Sequence, residues 1–243
     1  MIPFNRSSDE TYLFMATKLG MVKKTLLSEY SNVRRNGLTA IVLKEGDELI
    51  EVKATGESED VILVSKQGMS ILFSEDDVRQ TGRASMGVRG MDLEEGDEVV
   101  GMQLTRQGEA LLTVTEYGMG KRTMLTEFRK QNRGGKGLIC HKLSDKTGLL
   151  IGAKLVNDER EVLLITNEGI IIRIPVSNIS VIGRITGGVK LMSIDRNSNV
   201  RVASIAKVRE SSPQTEEALE HVAEDQIEKE NEFLKEAEGN EEE

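Results

Sequence analysis

The sequence predicts an all-β, propeller-like fold of four-stranded antiparallel blades, with about four repeats of 50 residues and an acidic C-terminal tail. Three observations predict it. Four segments, LFMATKLGMVKKTLLSEY, VILVSKQGMSILFSEDDV, LLTVTEYGMGKRTMLTEF and VLLITNEGIIIRIPVSNI, align on Gly20, Gly68, Gly118 and Gly169, at spacings of 48, 50 and 51. A second glycine set, Gly37, Gly87, Gly137 and Gly188, repeats at 50, 50 and 51. Leu49, Val99, Leu149 and Val200, which open a later apolar stretch of each unit, repeat at the same spacings. Landmarks in common register mark an internal repeat, and units of this length built from short strands are the mark of propeller blades.

Each unit reads as strands in order. Apolar runs such as Val61–Val64 and Leu111–Val114 are rich in β-branched residues and lead into Lys-Leu-Gly, Lys-Gln-Gly, Glu-Tyr-Gly and Asn-Glu-Gly turns. Glycine there supplies the positive φ of a tight hairpin. A second strand follows, and ten residues past each turn glycine stands Tyr30, Val78, Phe128 or Ile179. An irregular loop runs to the second glycine set, where a third strand is expected (LTAIVL, VRGMDL, LICHKL, VKLMSI). An acidic, Gly- and Asn-containing turn leads to a fourth strand, for example Glu48–Ala54 and Glu98–Leu104. Acid clusters such as Glu94-Glu95-Gly96-Asp97-Glu98 read as solvated hairpin ends, and Met69 and Met192 as core filler. The expected domains are 1–209, with repeats at about 1–56, 57–107, 108–157 and 158–209, and the tail 210–243, disordered or marginally helical.

Composition narrows the function. Aromatic residues make up 3% of the 243, and Trp is absent, so the core falls to Val, Ile, Leu and Met. Cys140 is the only cysteine, which excludes an internal disulfide framework and points to a reducing, cytoplasmic setting. No apolar run approaches the ~18 residues of a membrane span, and no signal peptide is visible. The net charge of −9 is unevenly placed: the tail carries −12, leaving the body at +3. His141 and His221 have no metal-ligand spacing around them, and no Walker-type loop is present. Adjacent strand residues face opposite sides, so Cys140 and His141 make no catalytic dyad.

The loops between the two glycine sets carry the candidate chemistry. In the third unit Lys121, Arg122, Arg129, Lys130, Arg133 and Lys136 stand against one acid, Glu127. Gly134 and Gly135 allow close backbone approach with exposed N–H groups, a combination suited to phosphate oxygens. The second unit places Arg83 and Arg89 around Gly87, and the fourth Arg184 and Lys190 around Gly188. The first offers Lys23 and Lys24 after its hairpin and Arg34 and Arg35 before Gly37. Equivalent loops fall at equivalent places around a propeller, so recurring charge makes a discontinuous basic rim. Such a rim can track a duplex that carries about one charge per 1.7 Å of axis. Few aromatics are available to stack single-stranded bases, which favours double-stranded DNA.

The segment QNRGGKG, Gln131 to Gly137, resembles the gyrase A box, whose family form is QRRGGKG. With GRASMGVRGM, GMGKRT and ISVIGRITGGVKLM, the chain resembles the C-terminal domain of the bacterial DNA gyrase A subunit over nearly all of residues 10–208. The resemblance implies a β-pinwheel, a propeller-like disc with strands exchanged between blades, around whose rim duplex DNA wraps. It implies a non-catalytic module supporting ATP-dependent negative supercoiling by the full enzyme, with the B subunit and the rest of the A subunit as partners. The cleavage tyrosine region is absent, and ATP and Mg2+ belong to other parts of the enzyme, so no cofactor is expected in this chain. The DNA-contacting set becomes the residues above together with Gln131 and Gly137. Asn132 departs from the family's Arg. By count the four units correspond to the last four of six blades. The alternatives are the matching domain of topoisomerase IV, whose box is degraded or lacking, and a propeller scaffold for protein partners.

Overall fold

The computed structural model describes residues 11–32, 37–56, 58–195 and 197–208. Arg34, Arg35 and the acidic segment 210–243 lie outside the described residues. Within the unit Met1–Lys207 the strands, numbered along the chain, form four antiparallel sheets. The first repeat supplies β1 (Tyr12–Thr17), β2 (Met21–Leu26) and β3 (Leu49–Thr55), in the order β3-β1-β2. The second supplies β4 (Asp60–Ser65), β5 (Met69–Ser74), β6 (Val88–Arg89) and β7 (Val99–Leu104). From the third come β8 (Ala110–Thr115), β9 (Met119–Met124), β10 (Leu138–Ile139) and β11 (Leu150–Val156). The fourth gives β12 (Glu161–Thr166), β13 (Ile171–Pro175), β14 (Val189–Lys190) and β15 (Val202–Lys207).

The hairpins close as glycine requires: Gly68 lies at φ +82° and its N–H reaches Ser65 O at 3.1 Å. A hydroxyl three residues before each turn glycine completes the turn. Thr17, Ser65, Thr115 and Thr166 accept from the N–H of Met21, Met69, Met119 and Ile170, respectively. A later turn of the same repeat helps: Asp47 Oδ1 accepts from Leu19 N–H and Glu48 N–H, and Asp97 Oδ1 from Gln67 N–H and Glu98 N–H. Asp47 and Asp97 are buried. The last aspartate of each cluster is therefore a structural cap, contrary to its reading as part of a solvated hairpin end.

The expected third strand takes a different form. Only two residues pair in each case, and they pair with the preceding repeat: Val88 with Val22, Leu138 with Ser70, Val189 with Gly120. Each of the first three sheets is thus completed by the next repeat, and the fourth has three strands among the described residues. Residues 38–43 of the first repeat form no strand. The second glycine set explains the crossing. A Cβ on Gly137 (φ +82°) would stand 2.1 Å from Ser70 O, and one on Gly87 (φ +81°) 2.2 Å from Val22 O. Only glycine lets the exchanged strand approach that closely.

The core lies between blades. Val61, Leu63 and Phe73 pack with Phe14, Ala16 and Val22 of the first repeat, while Ile62, Val64 and Leu72 pack with Leu111, Phe128 and Leu155 of the third. A strand with two-residue side-chain periodicity so serves both neighbours. Leu112, Val114 and Val156 face Val162, Leu164 and Val202 across the last interface. Met69 and Met192 pack against these clusters.

Candidate nucleic-acid interface

Because the exchanged strands cross each seam, the loops before them are carried onto the preceding repeat's hairpin. Thr81 N–H reaches Lys24 O (2.9 Å), Gln131 N–H reaches Leu72 O (2.8 Å) and Ile182 N–H reaches Arg122 O (2.9 Å). The same relation three times over places the loops of the second, third and fourth repeats at equivalent seams.

Four residues before Gly87, Gly137 and Gly188 stands an arginine: Arg83, Arg133 and Arg184. Each donates Nη1 to the carbonyl two residues past the previous glycine of the set. The distances are 3.4 Å to Thr39 O, 3.0 Å to Arg89 O and 2.8 Å to Ile139 O. All three arginines are half-buried. A guanidinium has five N–H donors in a planar fork, so each links two loops and keeps donors for a phosphate. The signal was legible as a repeat position, but the carbonyl acceptor was not.

The third loop is held by further bonds. Arg133 adds an Nε bond to Asp77 O (2.8 Å), Gly134 N–H reaches Gly90 O (2.7 Å) and Asp92 N–H reaches Gly135 O (3.0 Å). The Gly134 N–H therefore anchors the loop and is not presented outward as the sequence suggested. Lys130, Lys136 and Arg89 are exposed and pair with Asp60 (2.6 Å), Glu94 (2.5 Å) and Asp92 (3.1 Å). The Asp60 and Glu94 carboxylates, hydrogen-bonded to Lys130 and Lys136, hold those ammonium groups more firmly protonated than usual. Exposed pairs of this kind contribute little to stability, so their cations can exchange a carboxylate for a phosphate. Arg129 is exposed with no ion pair among the described residues, and Lys190 is exposed as well. Arg79, also exposed, stands eleven residues past Gly68 as Arg129 does past Gly118. Sequence reasoning passed over it although the register marks it.

Four expected contacts are interior. Lys23 and Lys121 are fully buried, and Lys24 and Arg122 nearly so. Lys24 Nζ lies 3.3 Å from Glu75 Oε1, a fully buried carboxylate, and 4.4 Å from the Tyr12 ring centroid. Arg122 Nε donates to Ile179 O at 2.7 Å, and its Nη1 pairs with Asp158. These two cations tie each hairpin to the short 3-10 turn of the following repeat, so the surface at their positions is not theirs to charge. Lys24→Met strands the Glu75 carboxylate. It is expected to cost about 3 kcal/mol, read as a lower midpoint in urea unfolding, with Lys24→Met/Glu75→Gln recovering much of the loss.

Cys140 and His141 do not act together. The Cys140 thiol donates to Gly68 O at 3.2 Å, whereas His141 Nδ1 is 2.9 Å from Thr113 Oγ1. Burial pushes the thiol up to about 12 and the imidazole down to about 4. No cluster of three or more His, Cys, Asp or Glu side chains suited to a metal occurs among the described residues.

A blade array with strands exchanged at each seam and arginines stepping from loop to loop defines a propeller-type repeat domain with a cation-bearing rim. The chain belongs to the family described as DNA gyrase C-terminal domain, beta-propeller, whose model matches residues 11–55, 59–106, 109–157 and 160–209. It is 50% identical over 224 residues to the DNA gyrase A subunit of Clostridium acetobutylicum, covering 92% of this chain and 27% of that protein. It is 40% identical over 238 residues to the DNA gyrase A subunit of Pseudomonas aeruginosa, covering 95% and 26%. The chain thus spans about a quarter of the length of the curated relatives it matches. Among solved structures, a DNA gyrase A C-terminal domain superposes with a TM-score of 0.75 at 29% identity, covering 83% of this chain and 67% of that one. The C-terminal domain of a DNA topoisomerase IV gives 0.81 at 33%, covering 90% and 69%.

Proposed function

We propose that this chain is the duplex-DNA-binding and wrapping module of a gyrase A subunit. In this reading it acts without catalysis of its own and supports ATP-dependent negative supercoiling by the assembled A and B subunits in the cytoplasm. The observation that supports it best is the threefold recurrence of Arg83, Arg133 and Arg184 at equivalent seams, with Arg79, Arg89, Arg129, Lys130, Lys136 and Lys190 beside them. One duplex running across the seams would meet the same donor arrangement at each. The QNRGGKG segment favours the gyrase reading over topoisomerase IV despite the similarity of fold. Binding of the full chain to linear and pre-bent duplexes at two salt concentrations tests the proposal. Affinity should drop steeply with salt, without sequence preference, and favour the bent duplex. A salt-independent affinity would overturn it.

The box loop should matter more for bending than the loop of the second repeat, because two backbone bonds at Gly134 and Gly135 and the Arg133 Nε bond fix it further. Arg133→Ala/Lys136→Ala is expected to weaken wrapping about fivefold more than Arg83→Ala/Arg89→Ala, a difference of about 1 kcal/mol. A fluorescence-transfer assay of duplex bending gives the comparison.

A further inference from the structure

We propose that Lys23 and Lys121 are positioning residues of the rim, each holding from beneath, by the backbone oxygens, the Gly-Arg loop of the following repeat, so that its arginine stays directed to the duplex. The consequence for DNA rests on the function proposed above; the clamp itself stands on geometry. Both lysines lie three residues past a hairpin glycine and are fully buried. Lys121 Nζ donates to Gly183 O at 2.7 Å, Arg184 O at 2.5 Å and Thr186 Oγ1 at 3.0 Å, all on the fourth repeat's loop. Lys23 Nζ donates to Ala40 O at 2.7 Å and to Arg83 O in the second repeat's loop.

The other two repeats carry Ile71 and Ile172 at this position. Above Ile71 lies the box loop, where a Cβ on Gly135 would stand 3.7 Å from Ile71 Cδ1. Among the described residues no ammonium reaches that loop from below, and Arg133 ties it down from above through Asp77 O and Arg89 O. All three seams thus share the arginine bond; the seams of Arg83 and Arg184 add a buried lysine, and that of Arg133 a second bond from the same guanidinium.

The lysine clamp depends on the proton. A charged ammonium has three donors for the three oxygens around Lys121, while a neutral amine keeps two and turns a lone pair toward one of them. Burial pulls Lys121 down to about 8, with Arg184 adding to the effect and Cys140 and Glu127 opposing it. Burial also pulls Lys23 to about 8, reinforced by Arg83 and opposed by Glu29. The adjacent Cys140 and His141 titrate far from this range, and burial raises Tyr30, whose hydroxyl shares the Ala40 carbonyl with Lys23. The unfolded chain keeps these protons to the ordinary lysine value of 10.5, so the lysines' contribution to folding stability rises with pH above about 8. Loop positioning moves the opposite way. Affinity should fall over a window in which stability does not.

The test uses the full chain and its Lys121→Ile variant, a residue the fold already accepts at this position in two repeats. In the free wild type the backbone amide signals of Gly183, Arg184 and Thr186 should shift with a midpoint near pH 8. In the variant they should be displaced and flat. A 40-base-pair duplex at fixed low salt should bind the variant about fivefold more weakly near pH 7. Between about pH 7 and about pH 9 wild-type affinity should decline while the variant's stays level. Amides that do not titrate overturn the clamp even if the variant fails to fold. A variant within about twofold of wild type at neutral pH overturns the effect on binding. If no duplex binds at any pH, the proposed function fails, and the amide titration still decides the clamp.

Discussion

Gly137→Ala is expected to destabilise the protein by about 4 kcal/mol, combining the left-handed backbone cost with the overpacking cost. The methyl group would meet Ser70 O at 2.1 Å at a φ of +82°. Neither the backbone of β5 nor the exchanged strand β10 can move without breaking the pairing of Leu138 with Ser70. In a domain of this size that is a fall in Tm of about 10 °C. Gly96→Ala is the control: its φ is +77°, but nothing lies within 4 Å of the added carbon. It should cost about 1 kcal/mol, the backbone cost alone. Differential scanning calorimetry of the two variants separates the contributions. Equal losses would mean that the seam accommodates a Cβ.

The second large effect concerns DNA. The triple variant Arg83→Ala/Arg133→Ala/Arg184→Ala should lower duplex affinity about a hundredfold, or about 3 kcal/mol, at low salt. Its plot of log affinity against log salt should flatten by about 3, since each phosphate contact contributes about 0.9 to the slope. The same substitutions remove the three seam bonds to Thr39 O, Arg89 O and Ile139 O. The measurement therefore belongs well below the unfolding transition. An unchanged slope would place the duplex elsewhere on the molecule.

Much of the blade was legible because its determinants are steric and local. A turn that needs positive φ takes glycine, and the apolar runs of β4 and β8 are strands buried on both faces. The exchange of strands was implied only by family likeness. Two-residue pairings such as Val88–Arg89 with Met21–Val22 leave no periodicity to read. The site divided in the same way. Arg83, Arg133 and Arg184 announced themselves by register, whereas Lys23, Lys24, Lys121 and Arg122 read as surface charge and are interior. A signal for two of them was present: Lys23 and Lys121 occupy the place of Ile71, a buried core residue. A lysine aligned with a core isoleucine is either a misfit or a buried donor with carbonyls to satisfy. Telling these apart requires knowing which loop arrives overhead from the next repeat.

That arrival has a bearing on how the chain unfolds. Since β6, β10 and β14 each complete the sheet before their own, no blade among the first three can melt without unpairing a segment of its successor. Neighbouring repeats are then linked as in a chain of interlocked units, where interface coupling makes partial unfolding costly. The fourth sheet has no such lock on β13 among the described residues, and its outer face leaves Ile170 and Ile171 exposed at 49% and 59%. Amide exchange should therefore be slowest in the middle sheets and fastest along β13, a gradient set by connectivity and not by composition.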